Sequence, residues 1–148
     1  MLQDNNKEIQ VPRMDGDINL DYAGSAMVPL CWQFWHIYRI EDLVTNYLIA
    51  DQEQIFNETW KSKINSPITD TGNALTPKQA IDFGKCIDVL SLKEYMLKVS
   101  TNTREIISNL TLEKINEKAT KTQLEKILTV GGITTDSRSI WLNDFWGS

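Results

Sequence analysis

The chain contains one histidine in 148 residues. A three-histidine metal centre therefore cannot be built within one copy. Any Ser-His-Asp or Cys-His arrangement would have to use His36. Cysteine is nearly as scarce: Cys31 and Cys86 are far apart and neither lies in a CxxC pair, so two reduced thiols are expected. There is no GxGxxG and no GxxxxGK[ST], which leaves nucleotide binding without a motif. No run approaches the roughly 20 apolar residues of a membrane span. The nearest, Leu43 to Ala50, is broken by Thr45 and Asn46. The N-terminus lacks an apolar signal core, and the chain reads as cytoplasmic. Basic clusters are also missing. Twenty acidic residues against 15 basic ones give a net charge of −5, so neither nucleic acid nor a membrane surface is an expected partner.

What remains is a globular composition, 41% apolar and 24% charged. A chain of this length buries roughly 70% of its unfolded surface and needs no disulfide. Residues 1–24 show no sustained period and read as a loosely ordered lead, and residues 25–148 as one helical domain. Ser25 is an expected N-cap, with Pro29 in the first turn. From there to Asp51 two apolar stripes run at helical spacing: Trp32, His36, Ile40, Leu43, Tyr47, Ala50, and Phe34, Ile37, Val44, Leu48. So wide an apolar arc predicts a central helix that touches several neighbours.

Residues 52–75 read as a long connection, of a length that tends to be functional. Thr76-Pro77 opens a short helix to about Cys86. Ser91-Leu-Lys-Glu94 reads as a capping box before Leu92, Tyr95, Met96, Val99, Ile106 and Leu110. Leu92, Met96, Val99, Ile106 and Leu110 are expected to face the same core as Leu43 and Tyr47. Thr111 can cap a turn around Leu112 to Ile115. Thr122-Gln-Leu-Glu125 reads as a second capping box, Gly131-Gly132 as a helix stop, and Asp136 as the cap of a last helix carrying Ile140, Trp141, Phe145 and Trp146. The chain is read as all-α.

Candidate chemistry centres on the first long helix. His36 lies on its apolar stripe, either as a core histidine or as a metal ligand facing a bundle core. Arg39 and Asp42 are three apart and suit an exposed helix pair. Glu41 shares a face with Ile37 and Val44, and Arg104 or Arg138 is its expected partner. The tryptophans and phenylalanines are assigned to core and subunit interface, because stacking surfaces for nucleic acid come with basic grooves.

The stretch Phe34-Trp-His-Ile-Tyr-Arg-Ile-Glu-Asp-Leu43 resembles the DinB-like family of bacterial four-helix-bundle proteins. These are related to thiol-dependent transferases and isomerases. The pattern Trp-His-Ile-x-Arg-x-Glu-Asp is filled by Trp35, His36, Ile37, Arg39, Glu41 and Asp42. Asp70-Thr-Gly-Asn-Ala74 and Asp144-Phe-Trp-Gly147 are similar to stretches of one branch of the family. The resemblance implies a DinB-like four-helix bundle over about residues 26–148. It also implies a divalent metal, zinc or nickel, held by three histidines, with a low-molecular-weight thiol in a transfer or isomerisation. His36 matches the first ligand, and no residue matches the other two. The expectation is therefore a truncated or degenerate member, a bundle incomplete at both ends. Its metal chemistry would be impaired, no cofactor is expected in this chain alone, and it would self-associate as a homo-oligomer, with a substrate the sequence does not name. The rival expectation is a metal-free helical protein that binds or builds through self-association, with His36 merely packed.

Overall fold

The computed structural model describes residues 29–148, and among these every regular element is helical. The expected lead, 1–24, and the expected cap Ser25 lie outside the described residues. Helix α1 (Leu30–Leu43) starts from Pro29, whose carbonyl accepts the Gln33 N–H at 3.1 Å. It runs without a break into a π-helix, Val44–Ala50. Asp51, left-handed at φ 53°, closes the π-helix by donating its N–H to the Asn46 carbonyl five residues back. The wider π turn brings three consecutive residues inward, and Thr45, Asn46 and Tyr47 are all buried.

Helices α2 (Glu58–Ile64), α3 (Pro77–Cys86), α4 (Val89–Ser108), α5 (Leu112–Ile115), α6 (Lys121–Thr129) and α7 (Ser137–Gly147) follow. Their starts show capping chemistry at work. Thr76 caps α3 with Pro77 at the first helical position, as expected, and also forms a reciprocal box with Gln79. Thr111 and Asp136 cap α5 and α7 as expected. Two caps fall elsewhere than the sequence suggested. Helix α4 is capped by Asp88, whose carboxylate accepts the Ser91 N–H at 2.7 Å, so Ser91 lies inside the helix. A carboxylate at this site satisfies a free N–H and also complements the helix dipole, which a serine hydroxyl does not. Helix α6 starts two residues early, on a box formed by Thr120 and Gln123 in place of Thr122 and Glu125.

Helices α1 and α4 run parallel. Asp42 near the end of α1 meets Tyr95, and Thr45 and Asn46 in the π-helix that continues it meet Thr103 and Asn102 further along α4, so both run the same way. A parallel pair forces the chain to return along the full length of the first helix before the second begins. At about 1.5 Å rise per residue that return is on the order of 30 Å. This is the physical reason for the long connection after Asp51, which α2 and α3 partly fill.

The apolar interior has two parts. The first gathers Trp35, Phe56, Ile64, Phe83, Ile87, Leu92, Tyr95 and Val99 between α1, α2, α3 and α4. The second gathers Leu43, Tyr47, Ile127, Ile133 and Leu142 between the π-helix, α6 and α7. The single core expected for both sets is thereby corrected: Leu92 and Val99 pack in the first cluster, Leu43 and Tyr47 in the second. Met96, Ile106 and Leu110 are only half-buried. Among the described residues, no helix is long and apolar enough to cross a membrane.

Candidate functional site

The face of α1 that turns inward differs from the expected stripe. Trp35, Arg39, Asp42 and Leu43 are buried, whereas Trp32, His36 and Ile40 are partly exposed. The arc is set by polar demand as much as by apolar pattern. The Arg39 and Asp42 side chains are both 0% exposed, which replaces the exposed helix pair with a buried one.

Every oxygen lone pair of Asp42 has work. Its Oδ1 accepts the Ile55 N–H at 2.8 Å and an amide N–H of Asn46 at 2.8 Å. Its Oδ2 accepts the Phe56 N–H at 2.9 Å, the Tyr95 hydroxyl at 2.7 Å and an Arg39 N–H at 3.2 Å. Arg39 also donates to the Gln54 amide oxygen at 2.9 Å and the Tyr95 hydroxyl at 3.2 Å. Its guanidinium lies over the Phe56 ring, 4.3 Å from the centroid. Burial holds the Tyr95 hydroxyl well above the ordinary tyrosine range, with Arg39 pulling against it. A buried ion pair is tolerated only when its remaining hydrogen-bonding capacity is filled. Here the carboxylate accepts five hydrogen bonds and the guanidinium donates four. Arg39, Asp42 and Tyr95 form a structural centre that pins residues 54–56 to α1 and α4.

The neighbouring face of α1 holds the loop 69–72. Four successive backbone carbonyls are each met by one side chain of the helix. Arg39 Nε donates to Thr69 O at 3.1 Å, and Trp35 Nε1 to Asp70 O at 2.9 Å. His36 Nδ1 lies 2.9 Å from Thr71 O, and Trp32 Nε1 donates to Gly72 O at 3.0 Å. The loop fits this closely because Asp70 accepts the Gly72 N–H at 2.7 Å and Gly72 is left-handed at φ +76°. A Cβ at Gly72 would lie 2.8 Å from Trp32 Nε1, so glycine is required both for the turn and for the approach.

His36 is the one reactive side chain in this array that is not consumed. Its ring stacks on Trp32 at 4.8 Å between centroids with 6° between planes. Because Thr71 O can only accept, Nδ1 carries a proton toward it, and in the neutral ring Nε2 is the acceptor. Glu41 is half-exposed, and Arg138, one of its two expected partners, pairs instead with Asp136 at 2.8 Å. Cys31 is part-buried, with burial pushing its thiol up, and Cys86 is exposed on α3. Among the described residues, no three His, Cys, Asp or Glu side chains come together as a potential metal-holding group.

A second polar feature lies away from His36. A cleft of ≈ 370 Å³ opens between the end of the π-helix and α6, lined by Tyr47, Gln52, Glu53, Gln123 and Lys126 among others. Glu53 accepts from Tyr47 at 3.0 Å and from Lys126 at 2.6 Å. Those two hydrogen bonds, Lys126's first, hold the Glu53 carboxyl below its usual range. Burial, then the Glu53 hydrogen bond, pushes Tyr47 up to about 12. Sequence patterning offered no sign of this cleft, because its residues come from two distant stretches of the chain, and the capping box that holds Gln123 marks only a helix start. No family model, curated protein or solved structure matches the chain.

Proposed function

We propose that the chain is a DinB-like helical domain, cytoplasmic and self-associating, in which the Trp-His-Ile-x-Arg-x-Glu-Asp stretch divides its labour. Trp35, Arg39 and Asp42 hold the fold, and His36 is the presented group. The observation that carries this reading is the fixed ring: Nδ1 tied to Thr71 O at 2.9 Å, with the Nε2 lone pair left over. Ligating imidazoles are commonly oriented in this way by a carbonyl on the opposite nitrogen. The parallel run of α1 and α4 with a long crossover is one of the ways four-helix bundles are connected, which supports the bundle reading.

The metal that the family resemblance implies does not fit the described residues. A zinc site uses about three or four protein ligands, and His36 stands alone among the described residues, with no group of three potential donors. Metal-assisted transfer or isomerisation with a thiol is therefore not routed through this chain by itself. The activity stays that of a family member with impaired chemistry. Dialysis of purified protein against zinc and nickel, with His36→Ala alongside, tests the reading. Far less than one metal per chain in both proteins is expected. One metal per chain, lost in the variant, would show a working site and overturn the impairment. One metal per chain in both would overturn the role given to His36.

A metal-free binding or structural protein is the second reading, favoured by apolar side chains left on the surface. Leu90 is 75% exposed and Phe145 65%, and Phe145 pairs edge-on with Trp141 at 6.2 Å. Both readings self-associate, so the metal dialysis separates them. Sedimentation equilibrium tests what they share, with concentration-dependent association lost on Trp141→Ser/Phe145→Ser supporting this surface and a monomer opposing it.

A further inference from the structure

Thr71, whose carbonyl orients His36, is itself held from behind through its N–H. Thr71 is 0% exposed, and its N–H donates to the Gly132 carbonyl at 3.0 Å. Gly132 sits in the turn after α6, on the side of the second core cluster. A Cβ on Gly132 would lie 2.6 and 2.9 Å from the two methyls of Leu43 and 3.1 Å from Ile127. Leu43 and Ile127 are both 0% exposed, so neither methyl group can swing into solvent. Any side chain at 132 must push the turn, and the turn's carbonyl is the one that holds Thr71.

We infer that Gly132 is a positioning residue for His36. Its close approach to Leu43 sets the 70–71 peptide through the Thr71 N–H, and Thr71 so placed turns the carbonyl of the next peptide to the imidazole, fixing the Nδ1–H form with Nε2 as the free acceptor. The chain of contact runs Leu43, Gly132, Thr71, His36, and links the α6–α7 half of the molecule to the one presented nitrogen. The inference deepens the reading of His36 as the presented side chain and rests on it for its purpose. The ring's tautomer is measured without any metal, so it fails or stands separately from the metal result.

The sole histidine makes the test clean, since one imidazole gives one set of ring signals. Nitrogen-15 chemical shifts of the full chain would be recorded at a pH of about 8.5, about two units above the ordinary imidazole value. Wild type should show the Nδ1–H form almost alone. Gly132→Ala should shift the ring toward the Nε2–H form that an unrestrained imidazole favours. Leu142→Ala weakens the same core cluster while leaving Leu43, Gly132 and Thr71 unsubstituted and should leave the tautomer unchanged. The double variant Gly132→Ala/Leu43→Ala removes the two methyls the new Cβ would strike and should restore the Nδ1–H form; it also serves if Gly132→Ala alone fails to fold. A mixed tautomer in wild type, an unchanged ring in folded Gly132→Ala, a shift of equal size in Leu142→Ala, or a mixed ring in the double variant would each overturn the inference.

Discussion

The two halves of the interior are held together differently. Around Trp35 and Tyr95, an apolar shell encloses a charged centre in which Arg39, Asp42, Asn46 and Tyr95 are hydrogen-bonded to one another and to the backbone. Around Leu43 and Ile127, the contacts are apolar and the fit depends on Gly132 approaching Leu43 closely. That second half also leaves the buried oxygens of Thr134 and Asn143 without hydrogen-bond partners. A satisfied polar network specifies one geometry and punishes the loss of any member. An apolar contact set tolerates repacking more easily. The first half therefore defines the fold around α1, and the second adapts to it.

The largest effect should come from the charged centre. Arg39→Ala leaves Asp42 buried beside fewer donors and should cost about 3–5 kcal/mol, as removing one partner of a buried pair does. Urea denaturation followed by tryptophan fluorescence would read it. A loss under about 1 kcal/mol would mean that the first half is held by its apolar shell alone.

Truncation in the other half should cost somewhat less where it can collapse. Ile127→Ala should cost about 2–4 kcal/mol, with the smaller end expected if α6 moves inward. The same denaturation curve with an unchanged slope checks it. A loss larger than that of Arg39→Ala would reverse the ranking of the two halves.

Helix caps come next. Thr120→Ala should cost about 1 kcal/mol and Thr122→Ala no more than about 0.5 kcal/mol, because only Thr120 accepts a backbone N–H. The reverse order in thermal melts would restore the cap that the sequence spacing suggested.

The smallest effect is the acid response of α7. Arg138's side chain, and then its N–H, hold the Asp136 carboxyl down at about 2. The unfolded chain titrates near its ordinary value of 3.8. A depressed carboxylate contributes stability that is present above the unfolded value and disappears as the pH falls toward the folded one. Thermal midpoints of wild type and Asp136→Asn should therefore differ above a pH of about 4 and converge as it falls toward about 2. Equal midpoints throughout would remove Asp136 from the account.

The helical class, the Thr76, Thr111 and Asp136 caps and the stop after Thr129 were all legible, because each depends on residues within one turn of one another. The buried arc of α1 was not. Spacing alone placed His36 inward and Arg39 outward, since hydrophobicity scores a lone arginine as solvent-facing. Only the backbone N–H groups of Ile55 and Phe56, brought back by the long connection, make a charged pair cheaper to bury than to expose. The π turn at Val44–Ala50 was equally hidden: nothing in its residues marks the wider winding. Of the candidate site, His36 was legible as a singular residue, while Thr71 and Gly132 were not, because their roles lie in backbone groups that have no side-chain signature. Asp70-Thr-Gly-Asn73 stood out as a motif, and its glycine does what the turn needs.

The central claim is that the stretch from Trp35 to Asp42 divides between Trp35, Arg39 and Asp42, which are buried and hold the fold, and His36, which is fixed at its edge. Urea unfolding of Asp42→Ala and His36→Ala, measured side by side with wild type, tests it most directly. Asp42→Ala strands Arg39 and two backbone N–H groups and should lose about 3–5 kcal/mol. His36→Ala gives up one hydrogen bond to Thr71 and should lose about 1 kcal/mol. Equal losses, or a His36→Ala protein less stable than Asp42→Ala, would contradict the division and return His36 to the core.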